Sequence, residues 1–352
     1  MSHYIAIIFG IAYFLLTLLC VYNVRNAYVD AMKCDTRRIT RALGRVPDDW
    51  AAFVRPPLGM SFPSVMLLAV TIVPFKLVVV VFFLTLGVVG LYILPTKIYL
   101  PLLSHFTGVF INFLGIRVRE TGERLASTET PTIVPNHVSY FDILVMLSRS
   151  RPVSFVAKKA VAKYPVVGDI ATSLGSVYVD RTKNCDDRDR TMEIIQEKQE
   201  SVMSGDSRYQ LCVFAEGTTS NGTCLMHYHD GAFDNLRLSF TCFDLLPHFF
   251  LVMALPPWHT TTCTVHWLPK VVPDANSSVR GFSGKARQEV ANAGGLRTDD
   301  CSNLKGHYEI TDFFFGDANK IATRKLREDA ALERKSSTNS VETLASSRDL
   351  SD

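Results

Sequence analysis

His137 and Asp142, five positions apart in Pro135-Asn136-His137-Val138-Ser139-Tyr140-Phe141-Asp142, pair a side chain that titrates near neutral pH with a carboxylate able to orient it. An imidazole, with an ordinary pKa of ~6.5, can take a proton from a hydroxyl as that hydroxyl attacks an acyl carbon. A carboxylate on its other nitrogen fixes the tautomer and stabilises the imidazolium. On a continuous helix, positions i and i+5 lie ~140° apart, so direct pairing requires His137 to precede the helix that carries Asp142. The same stretch has a purely structural reading: Ser139-x-x-Asp142 ahead of the apolar run Ile143–Leu147 is a capping box with Ser139 as N-cap. The two readings are compatible, because a cap at Ser139 leaves His137 in the preceding turn.

Two further islands follow. In Phe214-Ala215-Glu216-Gly217-Thr218-Thr219-Ser220-Asn221-Gly222 an apolar strand empties into a polar turn, where Glu216 can bind hydroxyls and Gly217 lets the backbone approach a ligand. An ordinary turn accounts for Gly217 and for Asn221-Gly222 as well. In Gly175-Ser176-Val177-Tyr178-Val179-Asp180-Arg181 a guanidinium follows a strand and offers paired donors to a phosphate, or else pairs with Asp180 or Asp186 on the surface. His227-Tyr228-His229-Asp230 lacks the downstream ligands that a zinc site needs. Gly281-Phe282-Ser283-Gly284-Lys285 is neither a nucleophile elbow nor a phosphate-binding loop.

Taken in order, the three blocks resemble the H-x-x-x-x-D glycerolipid acyltransferases, most closely the eukaryotic lysophospholipid acyltransferases that remodel phosphatidylcholine and phosphatidylethanolamine. The stretch Phe155-Val156-Ala157-Lys158-Lys159 through Pro165–Gly168 is similar too, so the resemblance covers about residues 60–235. It implies an α/β acyltransferase fold, a mixed sheet flanked by helices, with N-terminal membrane helices. It also implies acyl-CoA as co-substrate, a lysophospholipid acceptor, and neither cofactor nor metal. His137 and Asp142 would be catalytic, and Asn136, Lys158, Arg181, Glu216, Gly217 and Thr218 would contact substrate. Two departures blur acceptor and chain-length preference: Ala215 stands where relatives carry proline, and Phe250–Pro256 matches a fourth, Val-Pro-Val-like block poorly. Lysophosphatidic acid or glycerol-3-phosphate acylation are alternatives within the class. A non-catalytic membrane scaffold and a hydrolase using His137 on water lie outside it.

The elements that position these residues begin in the bilayer. Across 352 residues the formal net charge is +3 and the mean hydropathy is +0.14; this balance gives no reason to expect nucleic acid. Tyr4–Tyr22 is an apolar run of spanning length and Val65–Leu94 a longer one broken by Pro74 and Lys76. Basic residues (Arg25, Lys33, Arg37, Arg38, Arg41, Arg45, Arg55) follow the first run and none precedes it, so the positive-inside rule puts the N-terminus in the lumen and the next loop in the cytosol. The second run reads as a re-entrant or interfacial hairpin that keeps the catalytic blocks on the cytosolic face, where acyl-CoA is, in the endoplasmic reticulum. Eight cysteines without C-x-x-C spacing read as a reduced set.

The expected organisation is an anchor over 1–22, a basic cytosolic loop over 23–63, a membrane hairpin over 64–116, an acyltransferase domain over 117–316, a solvated surface helix over 317–335 and a disordered tail over 336–352. Strands are expected at Thr132–Pro135, Val153–Ala157, Ser176–Val179, Gln210–Phe214 and Phe249–Leu255, and the clearest helix at Asp187–Ser204 with Gly205 as its stop.

Overall fold

A computed structural model of the chain describes residues 2–55, 58–149, 153–164, 166–179, 185–207, 209–227, 245–256, 258–273 and 278–328. Its first helix, α1 (Ser2–Lys33), has two halves of different character. Through Tyr22 its large apolar side chains face outward, Tyr4 and Phe9 being 76% and 71% exposed, whereas Cys20, Val24, Ala27 and Ala31 form one buried stripe at helical spacing. The stripe packs on α3 (Phe62–Thr71) and reaches the domain core.

The expected basic loop over 23–63 is therefore largely ordered structure. The helix continues to Lys33, α2 (Thr36–Leu43) follows with Asp35 as N-cap, and a 3-10 helix, Asp48–Phe53, buries Trp50, Ala52 and Phe53 completely. Charge runs are compatible with this because one apolar residue per turn is enough to seat a short helix, as Ile39 does in α2.

The apolar run breaks at Ile72, ahead of Pro74, so α4 (Val73–Ile93) is one 21-residue helix, ~31 Å long at 1.5 Å per residue. Both α1 and α4 are long and apolar enough to cross a membrane. Lys76, deep in the apolar run, turns inward and donates from Nζ to the Leu255 carbonyl at 2.9 Å, which ties α4 to the domain. After Pro95, α5 (Thr96–Phe113) returns to the core, burying Tyr99, Leu100, Ser104, Thr107 and Ile111. The out-and-back hairpin is thus made by α4 and α5 and turns at Pro95; Pro74 does not divide it.

The remaining elements are β1 (Ile116–Gly122), β2 (Thr132–Ile133), α6 (Phe141–Leu147), β3 (Val153–Lys158), α7 (Val167–Ser173), β4 (Val177–Val179), α8 (Cys185–Met203), β5 (Gln210–Cys212), β6 (Cys224–Met226), α9 (Leu245–Met253), β7 (Thr261–Trp267), α10 (Val279–Gly294), β8 (Arg297–Asp299) and α11 (Leu304–Phe315). A further helix covers 318–328. The central sheet has the order β2-β5-β3-β4, and β1 pairs with β7 and β6 with β8. Every described pairing is parallel, which corrects the expected mixed sheet. Helices α6, α7 and α8 each carry the chain back across the sheet before the next strand, and such crossovers produce parallel neighbours. The C-terminal ends of β2, β3, β4 and β5 consequently share one edge.

Four of the five expected strands and the α8 helix are present, and Gly205, at φ +87°, ends α8 in the left-handed conformation. The fifth strand, Phe249–Leu255, is the helix α9. Its residues from Phe250 to Leu255 are all buried, and a run apolar on every side carries no period that separates buried strand from buried helix. The expected solvated C-terminal helix also differs. Over 318–328 it buries Ile321, Ala322 and Lys325, the charge of Lys325 being met by Asp49 at 2.6 Å and Glu309 at 2.8 Å. The tail over 336–352 lies outside the described residues.

Helix α11 approaches the Asp48–Phe53 helix so closely that a Cβ on Gly306 would overlap the Asp49 carbonyl oxygen. Gly306→Ala is expected to force these elements apart and lower stability by about 1–3 kcal/mol. A thermal midpoint equal to that of the unaltered protein would show that the contact is loose.

Candidate active site

The first candidate block leaves β2 at Ile133 and reaches His137 before α6 begins at Phe141, so the histidine is outside the helix as direct pairing requires. His137 Nδ1 lies 3.0 Å from Asp142 Oδ2. The same carboxylate oxygen accepts from the backbone N–H groups of Val138 at 2.8 Å and Ser139 at 2.9 Å. Asp142 is 3% exposed and sits in the first turn of α6, where free N–H groups and the helix dipole favour its negative charge. An ionised Asp142 holds the proton on Nδ1 and leaves the Nε2 lone pair free to act as a base. The expected capping box forms only in part: Asp142 reaches back to Ser139 N–H, but the N-cap position of α6 is Tyr140, and Ser139 Oγ accepts, weakly, from Phe141 N–H at 3.4 Å while Asp142 N–H donates to the Ser139 carbonyl.

A second contact fixes the imidazole plane. Phe214, the first residue of the third block, stacks on it at 4.2 Å between centroids and 24° between planes. Phe155 of β3 lies behind Phe214, parallel to within 4°. Since β5 stands between β2 and β3, the stack runs from His137 into the sheet.

Glu216 faces inward, with 5% of its surface exposed. Its Oε1 accepts from His137 N–H at 2.8 Å and its Oε2 from Met226 N–H at 3.2 Å. A carboxylate expected to bind substrate hydroxyls is thus occupied in tying the His137 backbone to the third block and to β6. Ser220 N–H completes the tie by donating to the His137 carbonyl at 2.8 Å. Gly217 has φ +68°, a conformation that disfavours any side chain, so it is required for the turn whatever else it does. Thr218 is half-buried beside it. Asn136 is buried to 1% exposure, and its Oδ1 has no hydrogen-bond partner among the described residues.

Lys158 ends β3, level with Val179 of β4, so its backbone belongs to the same sheet edge. Arg181, two residues beyond β4, lies outside the described residues; Val179 marks where its strand ends, ~14 Å from β2 across three strand spacings. His229 and Asp230 also lie outside the described residues.

A cavity of about 440 Å³ lies against the back of α6, between Leu144 and Leu147 of that helix, Leu103 and Phe106 of α5, and Gly87 and Gly90 of α4. Its lining is almost wholly apolar, and Leu144 is two residues past Asp142. The sequence reading did not find this space, because no local pattern says that α4 and α5 will leave a gap over α6. It also missed Phe214, Ser220 and Asn221 as supports of His137. The sequence shows Asn221 as half of an Asn-Gly turn and as the start of an Asn-x-Thr sequon, yet it is buried and its Nδ2 donates to the carbonyls of Ala51 at 2.9 Å and Val54 at 3.0 Å.

Comparison with known proteins agrees with this geometry. An acyltransferase family model matches residues 117–246. The chain is 42% identical over 120 residues to lysophospholipid acyltransferase LPEAT1 of Arabidopsis thaliana, covering 33% of this chain and 29% of that protein. It is 32% identical over 138 residues to lysophosphatidylcholine acyltransferase 2 of Rattus norvegicus, covering 39% and 24%. To lyso-ornithine lipid O-acyltransferase of Brucella abortus it is 32% identical over 130 residues, covering 37% and 45%. The matches therefore span less than half the length of these relatives. No solved structure matches. The dyad geometry and these relatives agree with the acyltransferase family model matched at residues 117–246.

Proposed function

We propose that this chain transfers a fatty acyl group from acyl-CoA to the free hydroxyl of a lysophospholipid, with lysophosphatidylcholine or lysophosphatidylethanolamine as acceptor. The observation that carries the reading is the His137–Asp142 pair, whose 3.0 Å contact leaves Nε2 as the free basic nitrogen. The lipid hydroxyl attacks the thioester carbonyl as Nε2 takes its proton, the ester C–O bond forms, and the C–S bond of the tetrahedral intermediate then breaks. The imidazolium returns the proton to the departing thiolate, so no covalent acyl-enzyme is needed. Asp142 keeps the tautomer and stabilises the transient imidazolium.

The apolar cavity behind α6 supports the same reading, since it offers a lipid chain a space bounded on one side by the catalytic helix and on the other by α4. In this proposal Arg181 meets the acceptor phosphate, Asn136, Lys158 and Thr218 line the approach, and Glu216 with Gly217 holds the turn that presents His137. Helices α1 and α4 seat the enzyme in the membrane of the endoplasmic reticulum, its domain facing the cytosol, where acyl-CoA is found.

His137→Ala should leave the protein folded and membrane-bound while lowering transfer of labelled acyl groups to a panel of lysophospholipids by ~10²–10⁴. More than about a tenth of the original rate, well outside that range, would remove the base assignment. If labelled acid is released at the same rate without any lyso-acceptor, the enzyme is a hydrolase instead.

The cavity makes a separate prediction. A Cβ on Gly87 would meet only Ile170 Cδ1, at 3.9 Å, so a side chain there is accommodated and projects into the space. Gly87→Leu is expected to lower kcat/KM for long-chain relative to short-chain acyl-CoA by about tenfold or more, as the loss of a methylene-sized space does in apolar pockets. An unchanged chain-length profile would show that the acyl chain lies elsewhere.

Glu216 predicts a pH dependence of stability. Burial pushes its carboxyl from the ordinary 4.5 up to about 8; the charge of Asp142 adds to this, and the N–H donors of His137 and Met226 oppose it. Between those values the folded chain holds a proton that the unfolded chain has released, so the contribution of this group to stability falls as the pH rises through the window and levels off above about 8. Glu216→Gln, never charged, should lose this slope. Its thermal midpoint, taken relative to the unaltered protein, should climb from pH 5 to pH 8, and parallel curves for the two proteins would refute the assignment.

A further inference from the structure

Behind the third block lies a chain of contacts that the acyl-transfer reading does not use. Asn221 Nδ2 donates to the carbonyls of Ala51 and Val54, and its own N–H donates to the Ala52 carbonyl at 2.7 Å, so one residue closes on three backbone carbonyls at the end of the Asp48–Phe53 helix and just after it. Its Oδ1 accepts from Thr223 N–H at 3.1 Å and Thr223 Oγ1 at 2.7 Å, leaving the amide no rotational freedom. The preceding residue, Ser220, donates its N–H to the His137 carbonyl. The position of the Asp48–Phe53 helix is therefore transmitted through two adjacent residues to the base.

That helix is itself held from behind. Lys325, 8% exposed, reaches Asp49 Oδ2 at 2.6 Å and Glu309 Oε2 at 2.8 Å, and its ammonium lies 5.6 Å from the Trp50 ring centroid. Trp50 packs on Phe313 of α11, and Ala52 N–H donates to Ser302 Oγ at 3.2 Å. A buried ammonium with two carboxylates is costly to disrupt, because removal of one partner leaves the others charged and unmatched.

We propose that Asn221 is a positioning residue of the acyl-transfer site and that Lys325 is its remote clamp: through the Asp48–Phe53 helix they set where Ser220 holds the His137 turn. The inference rests on the proposed acyl transfer for its kinetic readout only. The N-terminal and C-terminal segments flanking the domain thereby become parts of the catalytic apparatus, and a displacement of ~1 Å at His137 is enough to lower turnover by about 10²-fold.

The test uses the full chain in detergent, comparing Asn221→Ser, Asp49→Asn, Lys325→Met and Lys325→Arg. Two measurements are made on each: amide hydrogen exchange in peptides covering 135–142 and 214–222, and kcat with both KM values over a range of pH. Asn221→Ser should speed exchange at Ser220 and lower kcat by about ten- to a hundredfold, with each KM within about twofold and a displaced pH–rate profile. Lys325→Met and Asp49→Asn should move the same readouts in the same direction by less, and Lys325→Arg should restore them. Since Asp49 and Lys325 stand away from the base, their variants decide the matter if Asn221→Ser fails to fold. Unchanged exchange at 135–142 and 214–222 overturns the proposal, as does faster exchange with kcat and pH profile unaltered. If the unaltered protein transfers no acyl group to any lyso-acceptor, the functional reading fails, and exchange alone still decides whether the clamp acts on the turn.

Discussion

A single oxygen, Asp142 Oδ2, accepts hydrogen bonds from an imidazole and from two consecutive backbone N–H groups. Three donors converging on one acceptor leave little room for error, and the arrangement stands only if the chain turns sharply between β2 and α6. That turn cannot hold itself. Its carbonyl at His137 is met by Ser220 and its N–H at His137 by Glu216, both from the loop after β5, and the imidazole rests on Phe214 from the same loop. Adjacency of β2 and β5 in the sheet is what makes these bonds possible.

The parallel sheet accounts for the rest of the site in the same way. Because β2, β5, β3 and β4 run in one direction, their C-terminal ends lie at one edge, where residues far apart in sequence meet. Helix α6 joins this edge to the apolar helices: its first turn carries Asp142, and Leu144 and Leu147 beyond it face the apolar cavity under α4 and α5. The His137–Asp142 pair and an apolar cavity thus lie on two sides of one short helix.

Helices α1 and α4 also serve two environments. The outer part of α1 is apolar on all sides, while its inner part presents the small-residue stripe Cys20, Val24, Ala27 and Ala31 to the core. In α4 the early residues Val73, Lys76 and Val80 are buried and the later surface is exposed. The two long apolar helices are therefore built into the domain as structural members, and the Lys76 bond to Leu255 makes the junction a polar one within an apolar setting.

The His137–Asp142 pairing was legible in the residues. His137, Asp142, the Glu216-Gly217 turn, four of the strands and α8 follow from local rules of residue type, spacing and turn chemistry, and all of these act within a few residues of themselves. The two apolar helices were readable for the same reason, since bilayer thickness translates directly into a run length. Tertiary structure decided what local patterns cannot carry. It made every described strand pairing parallel, turned Phe249–Leu255 into a buried helix, and made structural anchors of Glu216 and Asn221, residues whose types fit a substrate contact or a plain turn equally well. It also drew the Asp48–Phe53 helix and the polar 318–328 helix into the core through Lys325. Each of these outcomes depends on a partner far away in the chain, and a buried hydrogen bond or ion pair takes its meaning from the group that faces it, which a sequence does not name.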